Sequence, residues 1–192
     1  MKDGRILIID NGSIYLNELQ RLCKPALCTI VKPGDIKIEE AETYALIFLS
    51  GGYQHEVMGS DEFYRTEIEL IKHCRVPIIG ICLGFQLIAH SFGMPIHKMP
   101  RTEHMTLAIY PTKQASHVLG KERFHVYEDH RWVLSKVPAN FHALAYSKDG
   151  IEVIRHNSLP LVGFQFHPEM FVTTADGRAI LRNIVSELNA RR

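Results

Sequence analysis

Val76-Pro77-Ile78-Ile79-Gly80-Ile81-Cys82-Leu83-Gly84-Phe85-Gln86-Leu87-Ile88-Ala89-His90 joins an apolar run to an amphipathic one, with a single cysteine at the joint. The pattern predicts a buried strand that turns sharply into a helix. Such a turn presents one side chain at the helix N-terminus, where unpaired N–H groups favour negative charge. Gly80 and Gly84 flank the thiol as Gly-Ile-Cys-Leu-Gly, the counterpart of the Gly-x-Ser-x-Gly elbow, in which glycines let strand and helix pack closely around a strained nucleophile. The thiolate is the attacking form of cysteine, so Cys82 is a candidate nucleophile. The competing reading is a small apolar residue packed in a core.

A partner for that thiol lies near the other end, in Val162-Gly163-Phe164-Gln165-Phe166-His167-Pro168-Glu169. Proline biases its predecessor toward extended geometry, and residues two apart on a strand share a face. His167 and Glu169 are therefore expected to point the same way. The imidazole would take the thiol proton and later donate it, while the carboxylate fixes the tautomer and stabilises the imidazolium. On their own, a hydrogen-bonded histidine at a strand end and a solvated acid would explain the pair as well.

Metal chemistry fits the spacing poorly. A zinc deaminase needs its His-x-Glu followed by Pro-Cys-x-x-Cys, and no cysteine follows Cys82. An iron site built on His-x-Glu would want a later histidine, and none follows His167. Without a Cys-x-x-Cys or His-Glu-x-x-His cluster, no metal ligand is assigned, nor any cofactor.

Working outward from the elbow, the first half alternates strand-like and helix-like segments. Arg5 to Asp10 carries Ile6-Leu7-Ile8-Ile9, followed by Leu16, Leu19 and Leu22 on one side of a helix. Cys28 to Val31 and Ala45 to Leu49 are further strands, the latter ending at Ser50-Gly51-Gly52. A charged segment from Asp61 to His73, with Phe63, Ile68 and Ile71 as its apolar positions, leads to the strand that delivers Cys82. Near-continuous apolar strands indicate a parallel sheet covered by helices on both faces. Ligands in such sheets bind beyond the carboxyl ends of the strands, where Cys82 and Gly51-Gly52 both fall.

From Met94 the texture changes to shorter runs. Met105 to Tyr110, Phe124 to Tyr127, His142 to Ser147, Ile151 to Ile154 and Leu161 to Phe166 read as strands, a smaller antiparallel layer that rejoins the main sheet at the last of them. Ala179, Ile180, Ile184, Val185 and Leu188 fit a closing amphipathic helix. No repeat, low-complexity tract or linker interrupts residues 1–192, so one α/β domain is expected.

At 192 residues with 46% hydrophobic content, the chain suits one well-buried domain. Lys+Arg of 22 against Asp+Glu of 21 leaves a net charge of +1, which gives no electrostatic case for nucleic acid or an anionic membrane. No apolar run approaches the roughly 20 residues of a membrane span. Four cysteines, at 23, 28, 74 and 82, without a leader-like start suggest free thiols in a reducing cytoplasm.

Taken together, the motifs resemble the class I, or triad-type, glutamine amidotransferases. The resemblance rests on Gly80-Ile-Cys82-Leu-Gly84-Phe-Gln86, on Gly163-Phe-Gln-Phe-His167-Pro-Glu169, on Ser50-Gly51-Gly52 and on Leu7-Ile-Ile-Asp10-Asn-Gly12-Ser13, in family order along essentially the whole chain. It implies a flavodoxin-like fold with a mostly parallel central sheet, and a glutaminase that needs no cofactor. Cys82 would attack the side-chain amide of glutamine, His167 would protonate the departing ammonia, and water would hydrolyse the glutamyl thioester. By the same resemblance the main-chain N–H groups of Gly52 and Leu83 would hold the oxyanion, and Gln86 would contact the substrate amide.

Within the family, the free-standing amidotransferase subunit of GMP synthase is nearest in size and in its opening residues. Tyr127-Glu128-Asp129-His130-Arg131-Trp132-Val133 stands where that branch has a Ser-His segment that helps hold the glutamine backbone, and Arg101-Thr102-Glu103 resembles an Arg-Glu pair before it. His130 agrees with that pattern, whereas Asp129 puts an acid where Ser is usual and would repel an α-carboxylate if it faced one. Tyr53 and Ile14 also depart, from a usual proline and a frequent glutamine. These departures admit another γ-glutamyl compound as substrate.

Three functions follow for comparison: a glutaminase passing ammonia to a separate synthetase, a stand-alone γ-glutamyl hydrolase or peptidase, and a silent regulatory module that keeps the fold. A synthetase of the ATP-pyrophosphatase type would carry Ser-Gly-Gly-x-Asp-Ser, but Ser50-Gly51-Gly52 continues as Tyr53-Gln54-His55. Amination is therefore expected on another chain.

Overall fold

Residues 4–113, 115 and 121–190 are described by a computed structural model of the chain. Its β-strands form a single nine-stranded sheet in the order β2-β1-β3-β4-β9-β8-β7-β5-β6. The first five positions, β2 (Cys28–Val31), β1 (Ile6–Ile9), β3 (Leu46–Leu49), β4 (Ile78–Ile81) and β9 (Leu161–Phe164), run parallel. That is the flavodoxin-like order, with the last strand of the chain as fifth member. Crossover connections carry α1 (Leu16–Leu22), α2 (Ile38–Ala41) and α3 (Arg65–His73), and α4 (Leu83–Ser91) follows β4 without a gap beyond Cys82.

The apolar runs are buried on both faces, and consecutive residues go to opposite sides as strand geometry requires. Leu7, Ile9, Ile47 and Leu49 pack into one core with Leu70, Ile71, Phe85 and Leu87 from α3 and α4. Ile8, Leu46 and Phe48 pack into the other, with Leu19 of α1 and Ile180, Leu181 and Ile184 of the closing helix α5 (Gly177–Ala190).

Beyond β9 the sheet turns antiparallel through β8 (Ile151–His156) and β7 (Phe141–Tyr146). A long two-stranded ribbon, β5 (Ile96–Pro111) and β6 (Phe124–Leu134), joins β7 only through Tyr110 and Pro111. The antiparallel part is thus a direct extension of the parallel sheet, and only the ribbon departs from it. Both ribbon strands outrun the sequence expectation. In β6 the alternation that buries Phe124 and Val126 continues inward with Glu128 and His130, polar residues that break the apolar pattern without breaking the strand.

Among the described residues, no helix is long and apolar enough to cross a membrane.

Candidate active site

Cys82 occupies the joint between β4 and α4 in a left-handed conformation, with φ 50° and ψ −98°. A non-glycine residue at such angles is strained and persists only where its surroundings enforce it. Here the enforcement is close packing. A Cβ on Gly80 would lie 2.4 Å from the Gly84 carbonyl oxygen, and one on Gly84 would lie 2.3 Å from the Leu49 carbonyl oxygen. The Cys82 N–H donates to the Phe164 carbonyl at 2.8 Å, which ties the elbow to β9.

β9 ends at Phe164, so His167 and Glu169 do not share a strand face as expected. They lie in a turn beyond the strand, closed by the Met170 N–H donating to the His167 carbonyl at 3.2 Å. The pair nevertheless meets. His167 Nδ1 donates to Glu169 Oε1 at 2.8 Å, with both side chains buried. The His167 N–H donates to the Tyr127 carbonyl at 2.9 Å, which pins the turn to β6.

The Cys82 sulfur and the His167 ring line the same cavity, close enough for the sulfur to act on the charge of the imidazole. Burial alone would lower the imidazole pKa; the Glu169 carboxylate and the Cys82 sulfur outweigh it and raise it well above the ordinary value. The thiol also reaches the Asp129 carbonyl at 3.7 Å. Gly51 lets the ring approach, since a Cβ there would lie 2.9 Å from His167 Cε1. Thiol, imidazole and carboxylate thus lie buried together, the last two joined by a hydrogen bond.

Cys82 and His167 line one wall of a cavity of about 440 Å³, shared with Gly52, Leu83, Gln86, Asp129 and His130, and Glu169 is buried behind the imidazole. Leu83 is the first residue of α4, so its N–H has no acceptor within the helix and is available to a ligand. Gly52 lies against the β1 loop so tightly that a Cβ would come within 2.1 Å of the Asn11 carbonyl oxygen. Gln86 is buried on α4, one turn beyond Cys82.

His130 borders the cavity, and of its two ring nitrogens only Nδ1 makes a hydrogen bond. Nδ1 donates to the Trp132 carbonyl at 3.0 Å, and Nε2 lies 3.0 Å from Glu128 Oε2. Burial pushes its pKa down, against the pull of Glu152. Glu128, His130 and Glu152 are the one group of three among the described residues whose ligand atoms could hold a metal ion, all within 4.8 Å of one another. Burial, and then the neighbouring Glu128, push the Glu152 pKa well up, and its Oε1 accepts the Ser147 hydroxyl at 2.6 Å.

The profile "Glutamine amidotransferase class-I" matches residues 7–188. The chain belongs to that family. This amidotransferase is 32% identical over 184 residues to the A subunit of the glutamine-hydrolyzing GMP synthase of Methanocaldococcus jannaschii, covering 93% of this chain and 94% of that protein. It is 33% identical over 183 residues to the protein of the same name from Pyrococcus abyssi, covering 93% and 95%. Among solved structures, one from Thermoplasma acidophilum, provisionally described as the A subunit of a GMP synthase, superposes with a TM-score of 0.84 at 26% identity, over 98% of this chain and 95% of that one. A glutamine amidotransferase from Thermotoga maritima shares the fold, with a TM-score of 0.72 at 22% identity, over 98% and 85%.

Two features of the amidotransferase site escaped sequence reasoning. The ring of Tyr15 meets that of His167 edge-on, with centroids 4.8 Å apart. Beneath the Ser50-Gly51-Gly52 loop, Asn11 donates its N–H to Ser50 Oγ at 2.9 Å and its side-chain amide to Glu67 Oε1 at 3.1 Å. Glu67 lies in the charged segment before the elbow, where nothing marks it as the buried one. The side chain of Glu103, which the Arg101-Thr102-Glu103 comparison requires, lies outside the described residues.

Proposed function

We propose that this chain is the glutaminase component of a two-chain synthetase of the GMP synthase type. It hydrolyses the side-chain amide of glutamine and passes ammonia to a separate synthetase subunit. The observation that carries the reading is that Cys82 and His167 line one cavity while the buried Glu169 holds the far nitrogen of the imidazole.

In the proposed mechanism, Cys82 Sγ attacks the amide carbon as its proton passes to His167. Negative charge gathers on the amide oxygen, where the N–H groups of Gly52 and Leu83 receive it; removing one such donor costs on the order of 10²-fold in rate. The carbon–nitrogen bond then breaks, and His167 returns the proton to the leaving nitrogen, which departs as ammonia. Water, deprotonated by His167, attacks the glutamyl thioester and releases glutamate and the thiol. Glu169 holds Nδ1–H throughout and stabilises the imidazolium. Gln86 and His130 line the wall along which the rest of the substrate lies.

The names of the relatives support the choice of synthetase, and four free cysteines fit a reducing cytoplasm. Cys82→Ala should abolish ammonia release from glutamine while leaving the thermal unfolding curve in place. Turnover by that variant at the wild-type rate would remove Cys82 from the mechanism. Mixing the wild type with the synthetase subunit of a GMP synthase should give glutamine-dependent GMP. Efficient cleavage of γ-glutamyl peptides with negligible glutamine hydrolysis would instead identify a stand-alone hydrolase.

A further inference from the structure

Asp129, the acid that departs from the family pattern, does not stand free in the cavity. Its Oδ2 accepts the Tyr15 hydroxyl at 2.7 Å, and its Oδ1 lies 3.2 Å from His104 Nδ1. The opposite nitrogen, His104 Nε2, is 3.2 Å from the Tyr127 hydroxyl. One assignment of protons satisfies these three contacts. Tyr127 donates to His104 Nε2, His104 donates from Nδ1 to Asp129, and Tyr15 donates to the remaining carboxylate oxygen.

The two tyrosines complete a ring of contacts, their hydroxyl oxygens 3.4 Å apart with both protons already committed and their aromatic planes crossing at 87°. Three elements meet in it: the loop after β1, the middle of β6 and the middle of β5.

The ring touches His167 at one point. Tyr15 presents its edge to the imidazole at an interplanar angle of 71°. Glu169 fixes the Nδ1 end of His167 and Gly51 packs at Cε1, so Tyr15 supplies a third support on the ring. Burial, with Tyr127 and Asp129 beside it, pushes the Tyr15 hydroxyl pKa up, which keeps it a donor. A nucleophile–base pair works only while proton donor and acceptor stay aligned, and misplacement by about 1 Å costs up to about 10²-fold in rate.

We infer that Asp129 is a positioning residue: with His104 and Tyr127 it holds Tyr15 against His167, and so holds the imidazole in line with the Cys82 thiol. Both carboxylate oxygens are held, by the Tyr15 hydroxyl and the His104 ring, so the acid in place of serine has a role within the protein. The inference rests on the glutaminase reading, and deepens it by giving the unusual residue a role in the proton transfer.

The test compares Tyr15→Phe, Asp129→Asn, Asp129→Ser and the double variant Tyr15→Phe/Asp129→Ser, with glutamine turnover and thermal unfolding measured on each. Asn keeps an acceptor for the Tyr15 hydroxyl and should retain kcat within about twofold. Tyr15→Phe and Asp129→Ser each free the ring and should lower kcat by about tenfold with KM within about twofold. The double variant should lose no more than either single one, because both break the same link. A rise in KM at unchanged kcat on Asp129→Ser would make Asp129 a substrate contact and overturn the inference; so would full kcat in Tyr15→Phe, or losses that multiply in the double variant.

Alkylation of Cys82 by iodoacetamide provides a readout free of substrate. It should slow by about fivefold in Tyr15→Phe and Asp129→Ser and stay near wild type in Asp129→Asn. Unchanged alkylation in all three variants would overturn the inference even if glutamine proved not to be the substrate. Failure of the glutaminase reading shows separately, as a wild type that releases no ammonia with or without a synthetase. If Tyr15→Phe does not fold, the Asp129→Ser and Asp129→Asn pair carries the comparison.

Discussion

Glu67 illustrates how one buried acid can both serve a site and weaken the protein that contains it. It is 1% exposed, and burial pushes its pKa up to about 8 despite the hydrogen bond from Asn11. In the unfolded chain it ionises near the usual carboxylate value, so between that value and about 8 the folded state binds more protons than the unfolded. Stability therefore falls as pH rises through this window, and the full cost is present above it. Glu67→Gln keeps an acceptor for Asn11 and removes the charge. Thermal unfolding should show little gain over wild type near pH 5 and a gain on the order of a few kcal/mol near pH 9. A constant difference across that range would show that Glu67 titrates normally.

Residues of this kind were the illegible part of the sequence. Cys82, His167 and Glu169 stood out because each sits in a short motif whose chemistry needs that residue type. Glu67 and Tyr15 work through neighbours 56 and 112 positions away, Asn11 and Tyr127, and no local spacing records such a contact.

At the level of elements, the elbow depends on backbone approach more than on side-chain identity. Gly84→Ala would drive a Cβ into the Leu49 carbonyl, main chain that cannot swing aside. Urea unfolding should register a loss of about 3 kcal/mol, and Cys82 should react more slowly with iodoacetamide. Gly4→Ala, with open space around the new methyl group, should change neither. Elements whose burial matched their periodicity, such as β1, β3, β4 and α4, were readable from the chain. The ribbon was read too short because its inward positions 128 and 130 hold an acid and a histidine. A turn, and not the shared strand face that the spacing predicts, brings His167 and Glu169 together.

For the molecule as a whole, the closing helix seals the second core. Ile184 of α5 is fully buried among Phe164, Phe166, Ile180 and neighbours. Ile184→Ala should reduce stability by about 2–5 kcal/mol, measured by denaturant unfolding, with kcat for glutamine unchanged at temperatures where the variant stays folded. Loss of kcat in a folded Ile184→Ala protein would mean that α5 shapes the cavity and does more than cover the sheet.

The insertion of β9 between β4 and β8 has a consequence for how the protein is made. The thiol leaves the ribosome exit tunnel well before the strand that receives its N–H and the histidine just past that strand. A nascent chain therefore carries its sulfur for a time without a base beside it. In the proposed mechanism the sulfur gains its base only when β9 slots into the gap, so a polypeptide cut short before that point should squander no glutamine.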